Sequence, residues 1–190
     1  VAAADAVQDI TAYDAVDSDY DITDDASTLL STTGKDAVVD SGVDQVFVTD
    51  SSVDAATGAE LNDLELALEG VGGTDIEFTV TDTAGAVASE LSATGDELDE
   101  ANDVNVVGGT IDVAAADAVQ DITAYDEIDS NYDIEDNAAT LLSTTGVDAV
   151  VDSGVDQVFV TDSSVDADTG VALNDLELAL EGVGGTDIEF

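Results

Sequence analysis

Apolar and polar residues alternate in short stretches along this 190-residue chain. In the first stretch, Tyr20 and Ile22 flank Asp21, and in the second Val46 and Val48 flank Phe47. An alternation with a period of two predicts a strand with one buried face and one solvated face. We expect strands near residues 19–24, 45–50, 75–82, 103–108, 131–136, 157–162 and 187–190.

The segments between these strands have the apolar spacing of helices. Leu61, Leu64 and Leu68 fall on one side of a helix, and Gly70 follows where a C-terminal cap is expected. We also expect a helix at 26–31 that ends near Gly34, a helix at 83–91, and helical turns around Val7 and Val119.

An aspartate closes most of the predicted strands. Its carboxylate can accept hydrogen bonds from the free N–H groups of a helical first turn, so each such aspartate is a candidate cap for the helix that follows. The residues with this predicted role are Asp24, Asp50, Asp82, Asp136 and Asp162.

Strands that are connected through helices run parallel, and a long series of such units winds into a right-handed solenoid. The strand-ending phrase recurs about every 28 residues, which is a spacing typical of repeat proteins. We therefore predict an α/β fold, a right-handed parallel strand-helix solenoid. The alternative is a series of tandem β-sandwich repeats of the immunoglobulin-like kind.

A second, longer repeat organises the chain. Residues 1–78 and 113–190 differ at only ten positions, and VFVTDSSVDA occurs in both copies, 112 residues apart. We expect a first repeat of four coils at 1–112 and a truncated second copy at 113–190. The two copies are predicted to form one continuous solenoid rather than separate domains.

The strongly negative charge of the chain limits the classes of molecule that it can bind. The chain has 46 acidic residues and one basic residue, Lys35, which gives a formal net charge of −45. Binding to nucleic acid or to an anionic membrane requires the basic residues that are absent here. Self-repulsion on this scale favours a high-salt or calcium-containing environment. Hydrophobic residues, at 44%, are nevertheless sufficient for a packed core.

Residues 20–30 read YDITDDASTLL and residues 78–87 read FTVTDTAGAV. These stretches resemble the tandem "VTDTAxxV" repeats of giant secreted bacterial surface proteins: adhesins, surface-layer-like proteins and RTX-type proteins exported by type I secretion. The resemblance implies an extracellular location and a structural or adhesive role, often with calcium. The glycine-rich RTX nonapeptide is not present, and Gly72-Gly-Thr-Asp75 is only a distant counterpart.

Candidate chemistry is confined to oxygen ligands. The chain has no His and no Cys, so a serine nucleophile has no ordinary base, and we predict that the protein is not an enzyme. Clustered carboxylates near strand ends suit Ca²⁺, which takes six to eight oxygen ligands, and diffuse cation screening is the alternative. The candidate ligands are Asp17, Asp19, Asp21, Asp24, Asp25, Asp126, Glu127, Asp129, Asp133, Glu135 and Asp136.

Aromatic residues divide between the two faces of the predicted strands. Phe47 and Phe159 lie opposite the apolar face, where they are candidates for self-association if no layer covers them. The residues expected in the core are Tyr20, Phe78, Tyr132 and Phe190.

The repeats, together with the resemblance to secreted bacterial surface proteins, imply a structural repeat segment of a large extracellular bacterial surface protein, and the charge favours a marine or otherwise salty habitat. It would build a fibre, surface layer or stalk by stacking on neighbouring repeats or copies of itself. The alternative is a calcium-dependent adhesion module that binds a glycan, such as a cell-surface polysaccharide, or a host surface. No apolar run is long enough to insert into a membrane.

Overall fold

A computed structural model describes residues 1–8, 20–40, 42–94, 98–126, 129–152 and 154–190. The chain divides into two compact units. One comprises Val1–Val80 and Asp96–Asp103, and the other comprises Thr81–Gly95 and Val104–Phe190. Parallel strands alternate with helices in both, so the predicted α/β class is confirmed.

The strands are short and mostly lie where alternation predicts them. They are β1 (Tyr20–Asp24), β2 (Val43–Val48), β3 (Asp75–Glu77), β4 (Thr79–Asp82), β5 (Asp103–Ile111), β6 (Asn131–Asp136), β7 (Val155–Val160) and β8 (Asp187–Glu189).

Apart from α1, which precedes β1, the helices lie in the connections between strands, as parallel pairing requires. They are α1 (Ala2–Gln8), α2 (Ala26–Leu29), α3 (Thr32–Val38), α4 (Ala55–Glu69), α5 (Ala84–Thr94), α6 (Val113–Gln120), α7 (Ala138–Leu141), α8 (Thr144–Val150) and α9 (Ala167–Val183).

The sheet of the first unit has the order β1-β2-β3, and both pairings are parallel. Ile22, Val46 and Ile76 share one register row across the three strands, and all three side chains are buried. Leu61 and Leu68 of α4 are also fully buried, as the predicted helical stripe requires. The apolar core of this unit therefore combines one face of the sheet with the leucine stripe of α4.

The second sheet has the order β4-β5-β6-β7-β8, with parallel pairing from β5 to β8. Ile134, Val158 and Ile188 form its buried row, which repeats the row of the first unit 112 residues later. The register of β5 against β6 shifts at Gly108 and Gly109, whose φ angles of +73° and +95° are accessible mainly to glycine.

Three details differ from the sequence-based expectation. The strand predicted at 75–82 is interrupted at Phe78, so that β3 and β4 belong to different sheets. Gly34 does not end a helix but lies inside α3, which follows α2 after a single turn. Phe78 and Tyr132 are buried as predicted, whereas Tyr20 is half-buried and Phe190 is exposed.

Candidate functional site

Asp24 and Asp136, which end β1 and β6, do not cap the helices that directly follow them. Asp24 is the last residue of β1, but the N-cap of α2 is Asp25, whose side chain accepts from the N–H of Thr28. In the second copy, Asp136 ends β6 and Asn137 caps α7 in the same way. The prediction for Asp24 and Asp136 is wrong by one residue, because the cap must lie three residues before the N–H that it accepts.

Asp50 and Asp162 are also displaced from the predicted role. The helices after them begin later, and their N-caps are Asp54 and Asp166, which accept from the N–H groups of Thr57 and Thr169. The hydrogen bonds from Thr57 lower the pKa of Asp54 below its ordinary value. These caps are therefore carboxylates four residues beyond the predicted ones.

Asp50 and Asp162 instead reach the helix of the preceding coil. The Oδ2 atom of Asp50 accepts from the N–H of Ala26, the first residue of α2, at 2.7 Å. The equivalent bond from Ala138 to Asp162 is 2.6 Å long. Each bond spans 24 residues of sequence, so the carboxylate at the end of one strand satisfies the helix that follows the previous strand.

The same arrangement recurs one coil earlier in each copy. The N–H of Val113, the first residue of α6, donates to Oδ2 of Asp136 at 3.4 Å, and the amine of Val1 donates to Oδ2 of Asp24 at 3.1 Å. We call these four contacts the cross-coil caps, where a coil is one strand together with the helical connection that follows it. Three of them join successive coils through a backbone N–H, and the fourth does so through the amino group of Val1.

Asp82 and Asp112 complete the set of strand-ending aspartates. Asp82 ends β4 and accepts from the N–H of Thr83 at 2.7 Å. Asp112, which follows β5, is the N-cap of α6 and accepts from the N–H of Ala115 at 2.8 Å. The sequence Thr110-Ile-Asp112 resembles the other strand ends and could have indicated this cap. The two glycines before it interrupt the alternation of apolar and polar residues.

Two of the five predicted calcium ligands of the first copy, Asp24 and Asp25, accept hydrogen bonds from protein donors. Both oxygens of Asp25 accept hydrogen bonds from Ser27 and Thr28, which lower the pKa of Asp25 to about 2. Asp24 accepts from the N–H of Asp25 and from the amine of Val1. Asp21 is exposed on β1. Asp17 and Asp19 lie outside the described residues.

The predicted ligands of the second copy are spread over a turn and a strand. Asp129 is exposed, and its N–H donates to Asp126 at 3.4 Å. Asp133 and Glu135 lie on β6, where burial and then the nearby charge of Asp156 raise the pKa of Asp133. Glu127 lies outside the described residues.

No three acidic side chains among the described residues come together in a group that could hold a metal ion. Specific calcium binding by these carboxylates remains a hypothesis. Most of the predicted ligands that lie nearest helix termini already stabilise those termini, where a negative charge is favoured by the helix dipole.

Phe47 and Phe159 lie in equivalent rows on the sheet face opposite the buried valines. Phe47 pairs with Thr23 and Glu77 across the first sheet, and Phe159 pairs with Glu135 and Glu189 across the second. Both rings are half-buried rather than fully exposed. Their role in self-association stays a prediction.

Glu65 is a buried carboxyl group that the sequence analysis did not identify. It lies on α4 at 2% exposure, and its Oε2 atom has no hydrogen-bond partner among the described residues. Burial raises its pKa to about 7, with smaller contributions from Glu100, Asp75 and Glu69. The available signal was its position four residues after Leu61, on the apolar side of the helix.

Comparison with protein-family models, with curated proteins and with solved structures gives no match to this chain. Among the described residues, no helix combines the length and the apolar character that crossing a membrane would require. The chemistry of the site consists of carboxylates that accept hydrogen bonds from backbone nitrogen atoms of neighbouring coils.

Proposed function

We propose that this chain is a structural repeat segment of a large extracellular bacterial surface protein, and that it has no catalytic role. In this proposal its coils stack into one right-handed solenoid that serves as a fibre, surface layer or stalk. The partners are neighbouring repeats and other copies of the chain. Cell-surface polysaccharide is a further candidate partner.

The observation that carries the proposal is the repetition of the cross-coil caps in both copies. A carboxylate that satisfies the helix of the preceding coil is useful only when coils stack on one another. The two pairs of equivalent caps are kept although ten side chains differ between the copies. Contacts of this kind fit a defined stacking geometry between neighbouring coils.

Other contacts between coils are also kept from copy to copy. Gln8 donates to the Tyr20 hydroxyl at 2.6 Å, and Gln120 donates to the Tyr132 hydroxyl at 2.6 Å. The amide of each glutamine also donates to a backbone carbonyl 29 residues away, in α3 or α8. Such repeated long-range contacts are typical of modules that are stabilised by their neighbours.

The charge of the chain fits an extracellular role in salt. Coils that each carry many carboxylates repel one another at low ionic strength, and screening shortens the range of this repulsion to about 8 Å at physiological salt and about 3 Å at 1 M. We therefore propose that a salty medium permits stacking.

The experiment that tests this function follows assembly of the chain by electron microscopy and sedimentation velocity. In about 1 M NaCl, where repulsion is screened, we expect filaments or sheets with a regular repeat. Particles that stay monomeric at every salt and protein concentration would count against a self-associating structural role.

The response to added calcium distinguishes the structural role from the calcium-dependent adhesion module. Added CaCl₂ should act only as NaCl of equal ionic strength does if the carboxylates serve as caps. A melting temperature that rises with calcium alone, saturating at a fixed number of ions per chain, would favour the calcium-dependent module instead.

A further inference from the structure

The end of the second copy exposes a face that the first copy keeps covered. We define the 165–190 face by Val165, Gly170, Val171, Asn174 and Phe190. Val171 is 62% exposed and Phe190 is 59% exposed, and the side chain of Asn174 is also exposed. An apolar surface with polar groups at its margin is typical of an interaction site.

The first copy contains the same face in a buried form. The equivalents are Val53, Gly58, Ala59, Asn62 and Phe78, and all five are buried. Phe78, for example, is 4% exposed where Phe190 is 59% exposed. Since the two sequences are nearly identical here, the difference arises from what lies against each face.

Two short stretches of the chain cover the face of the first copy. The N–H of Val53 donates to the carbonyl of Thr79 at 2.9 Å, and Val53 also forms a parallel bridge with Val80. From the second stretch, the N–H of Glu100 donates to Oδ1 of Asn62 at 3.1 Å. In the same stretch, the N–H of Asn102 donates to the carbonyl of Phe78 at 2.9 Å.

Gly58 marks how closely these stretches pack. A Cβ atom at this position would lie 2.6 Å from Cγ2 of Val80 and 3.1 Å from Cδ2 of Leu98. At Gly170 the nearest atoms would be 3.8 Å away, on Phe190, and 3.9 Å away, on Val165, which is ordinary contact. Gly58 is therefore required by the close packing of Val80 and Leu98 and not by the conformation of the helix.

The sequence around 79–112 also covers the opposite end of a copy. In the second unit, β5 pairs with β6 through the row of Ile111 and Ile134, and α5 packs on α6. In the first copy, the equivalent positions line an open cavity of about 350 Å³ beside Ala4, Tyr20 and Ile22. The segment 79–112 therefore carries a surface for each end of a repeat.

We propose that the 165–190 face is the docking surface for a second segment with the sequence of residues 79–112, supplied by a following repeat. This inference rests on the proposed function and names the partner of its stacking step. The segment would bring its own Val80 and Leu98 equivalents over Gly170 and Phe190. It would also supply a carbonyl for the N–H of Val165 and an amide for Asn174.

Lateral pairing of another strand with β8 is a different mode of assembly, and the first copy does not use it. Its equivalent strand, β3, is the last strand of its sheet, with β2 as its neighbour. The cover instead lies on the Val53 segment, the helix face and Phe78. The first copy thus provides a template for docking of the 79–112 segment and none for addition of a strand to β8.

The test compares the full 190-residue chain with the same chain extended after Phe190 by residues 79–112. Hydrogen exchange of individual amides is measured by NMR in about 1 M NaCl to screen repulsion. In the unextended chain, the Val53 amide should be protected and the Val165 amide should exchange fast. The extension should slow exchange at Val165 by about tenfold or more, since its N–H becomes hydrogen-bonded.

Two controls make the result specific. An extension of the same composition in scrambled order should leave Val165 fast. Gly170→Leu should leave the unextended chain folded, because the site has space, but it should abolish protection in the extended chain. If Gly170→Leu fails to fold, Val171→Asp replaces it, since this change puts a charge on the same face.

The outcomes separate this inference from the proposed function. A Val165 amide that stays fast in the extended chain overturns the docking surface, and the wider proposal survives if that chain still assembles into filaments. Protection of Val165 that appears in the unextended chain and grows with its concentration identifies a second copy as the occupant. That result also overturns the inference.

Discussion

The carboxylate of Asp50 connects two coils through a single hydrogen bond. It accepts the N–H of Ala26 at 2.7 Å, while Asp25 occupies the ordinary N-cap position of the same helix. The helix α2 therefore has two of its free amide groups satisfied by two different coils. This division explains why aspartate recurs at the ends of strands and also just after them.

Replacement of Asp50 by Ala removes the acceptor for the Ala26 amide. We expect the free energy of unfolding to fall by about 1 kcal/mol, the usual cost of losing a helix-capping side chain. The measurement is urea unfolding in high salt, followed by circular dichroism. Asp44→Ala is the control, because Asp44 is exposed on β2 and the change removes the same charge. Equal effects of the two substitutions would contradict a capping role for Asp50.

Glu65 should make the first copy sensitive to pH. Its pKa of about 7 in the folded chain lies above the ordinary value of 4.5, so folding favours the protonated form. The resulting stability is fully present below about pH 4.5 and is lost as the pH rises through 7.

We therefore expect Glu65→Gln to raise the free energy of unfolding by about 1 to 3 kcal/mol at pH 8 and to have little effect at pH 4. The matched control is Glu177→Gln, the equivalent position in the second copy, where the side chain is half-exposed. Unfolding curves at several pH values provide the comparison. A pH profile unchanged by Glu65→Gln would show that Glu65 is not the responsible group.

For single residues, the sequence predicts that aspartates will serve as caps better than it predicts which backbone N–H each aspartate binds. It indicates that aspartates at strand ends serve helix N-termini, but the choice between Asp24 and Asp25 depends on where the backbone turns. The bond from Asp50 to Ala26 depends on the spacing of coils in three dimensions. The position of Glu65 on the apolar side of the predicted helix was a local signal of burial, but the charge of Glu100, which also raises its pKa, comes from a distant part of the sequence.

Among the elements, the pair α2 and α3 shows a turn whose geometry requires glycine. The side chain of Ser31 caps α3 by accepting from the N–H of Gly34 at 3.0 Å. A Cβ atom on Gly34 would lie 2.1 Å from the carbonyl oxygen of Thr28 and 2.3 Å from that of Leu29. Both are backbone atoms, so the turn itself would have to move.

We expect Gly34→Ala to cost about 2 to 3 kcal/mol, as overpacking against the backbone does. Gly85→Ala in α5 is the control, because no atom lies within 4 Å of an added Cβ there. It should be neutral or stabilising by up to about 1 kcal/mol through helix propensity. Thermal unfolding of both variants checks this, and a Gly34 variant as stable as the Gly85 variant would refute the tight turn.

The two equivalent glycines of α4 and α9 provide a second comparison between elements. Gly58→Ala should destabilise the chain by about 1 to 3 kcal/mol, because the added methyl group meets the side chain of Val80. Gly170→Ala should be neutral or slightly stabilising, because its helix face is open. Denaturant unfolding of the two variants measures the difference. Equal costs at the two sites would mean that the two faces are covered alike.

The strands were predictable because alternation is a local property. Seven predicted stretches correspond to the eight strands found among the described residues, and the leucine stripe of α4 was also evident in the sequence. The break at Phe78 was not predictable, because residues 75–82 keep their alternation through it. It depends on the contact between the Phe78 carbonyl and Asn102, which belongs to a later segment. Ser31 at the start of α3 was a local signal, but Gly34 gave the stronger and misleading indication of a helix end.

For the whole molecule, the main feature is the duplication of its contacts. Buried rows, glutamine contacts and cross-coil caps recur after 112 residues with nearly unchanged distances. The repeat is thus copied as a physical unit and not only as a sequence. The net charge of −45 is spread over nearly every coil, so stacking of coils requires salt that screens the repulsion between their carboxylates.

The most direct test of the central claim is small-angle X-ray scattering of tandem arrays with one, two and three copies of residues 1–112 in about 1 M NaCl. If the coils stack into one solenoid, the maximum dimension should grow by equal steps and the radius of gyration of the cross-section should stay constant. A maximum dimension that grows by diminishing steps, as for domains joined by flexible linkers, would contradict the account. A cross-section that widens with copy number would contradict it as well.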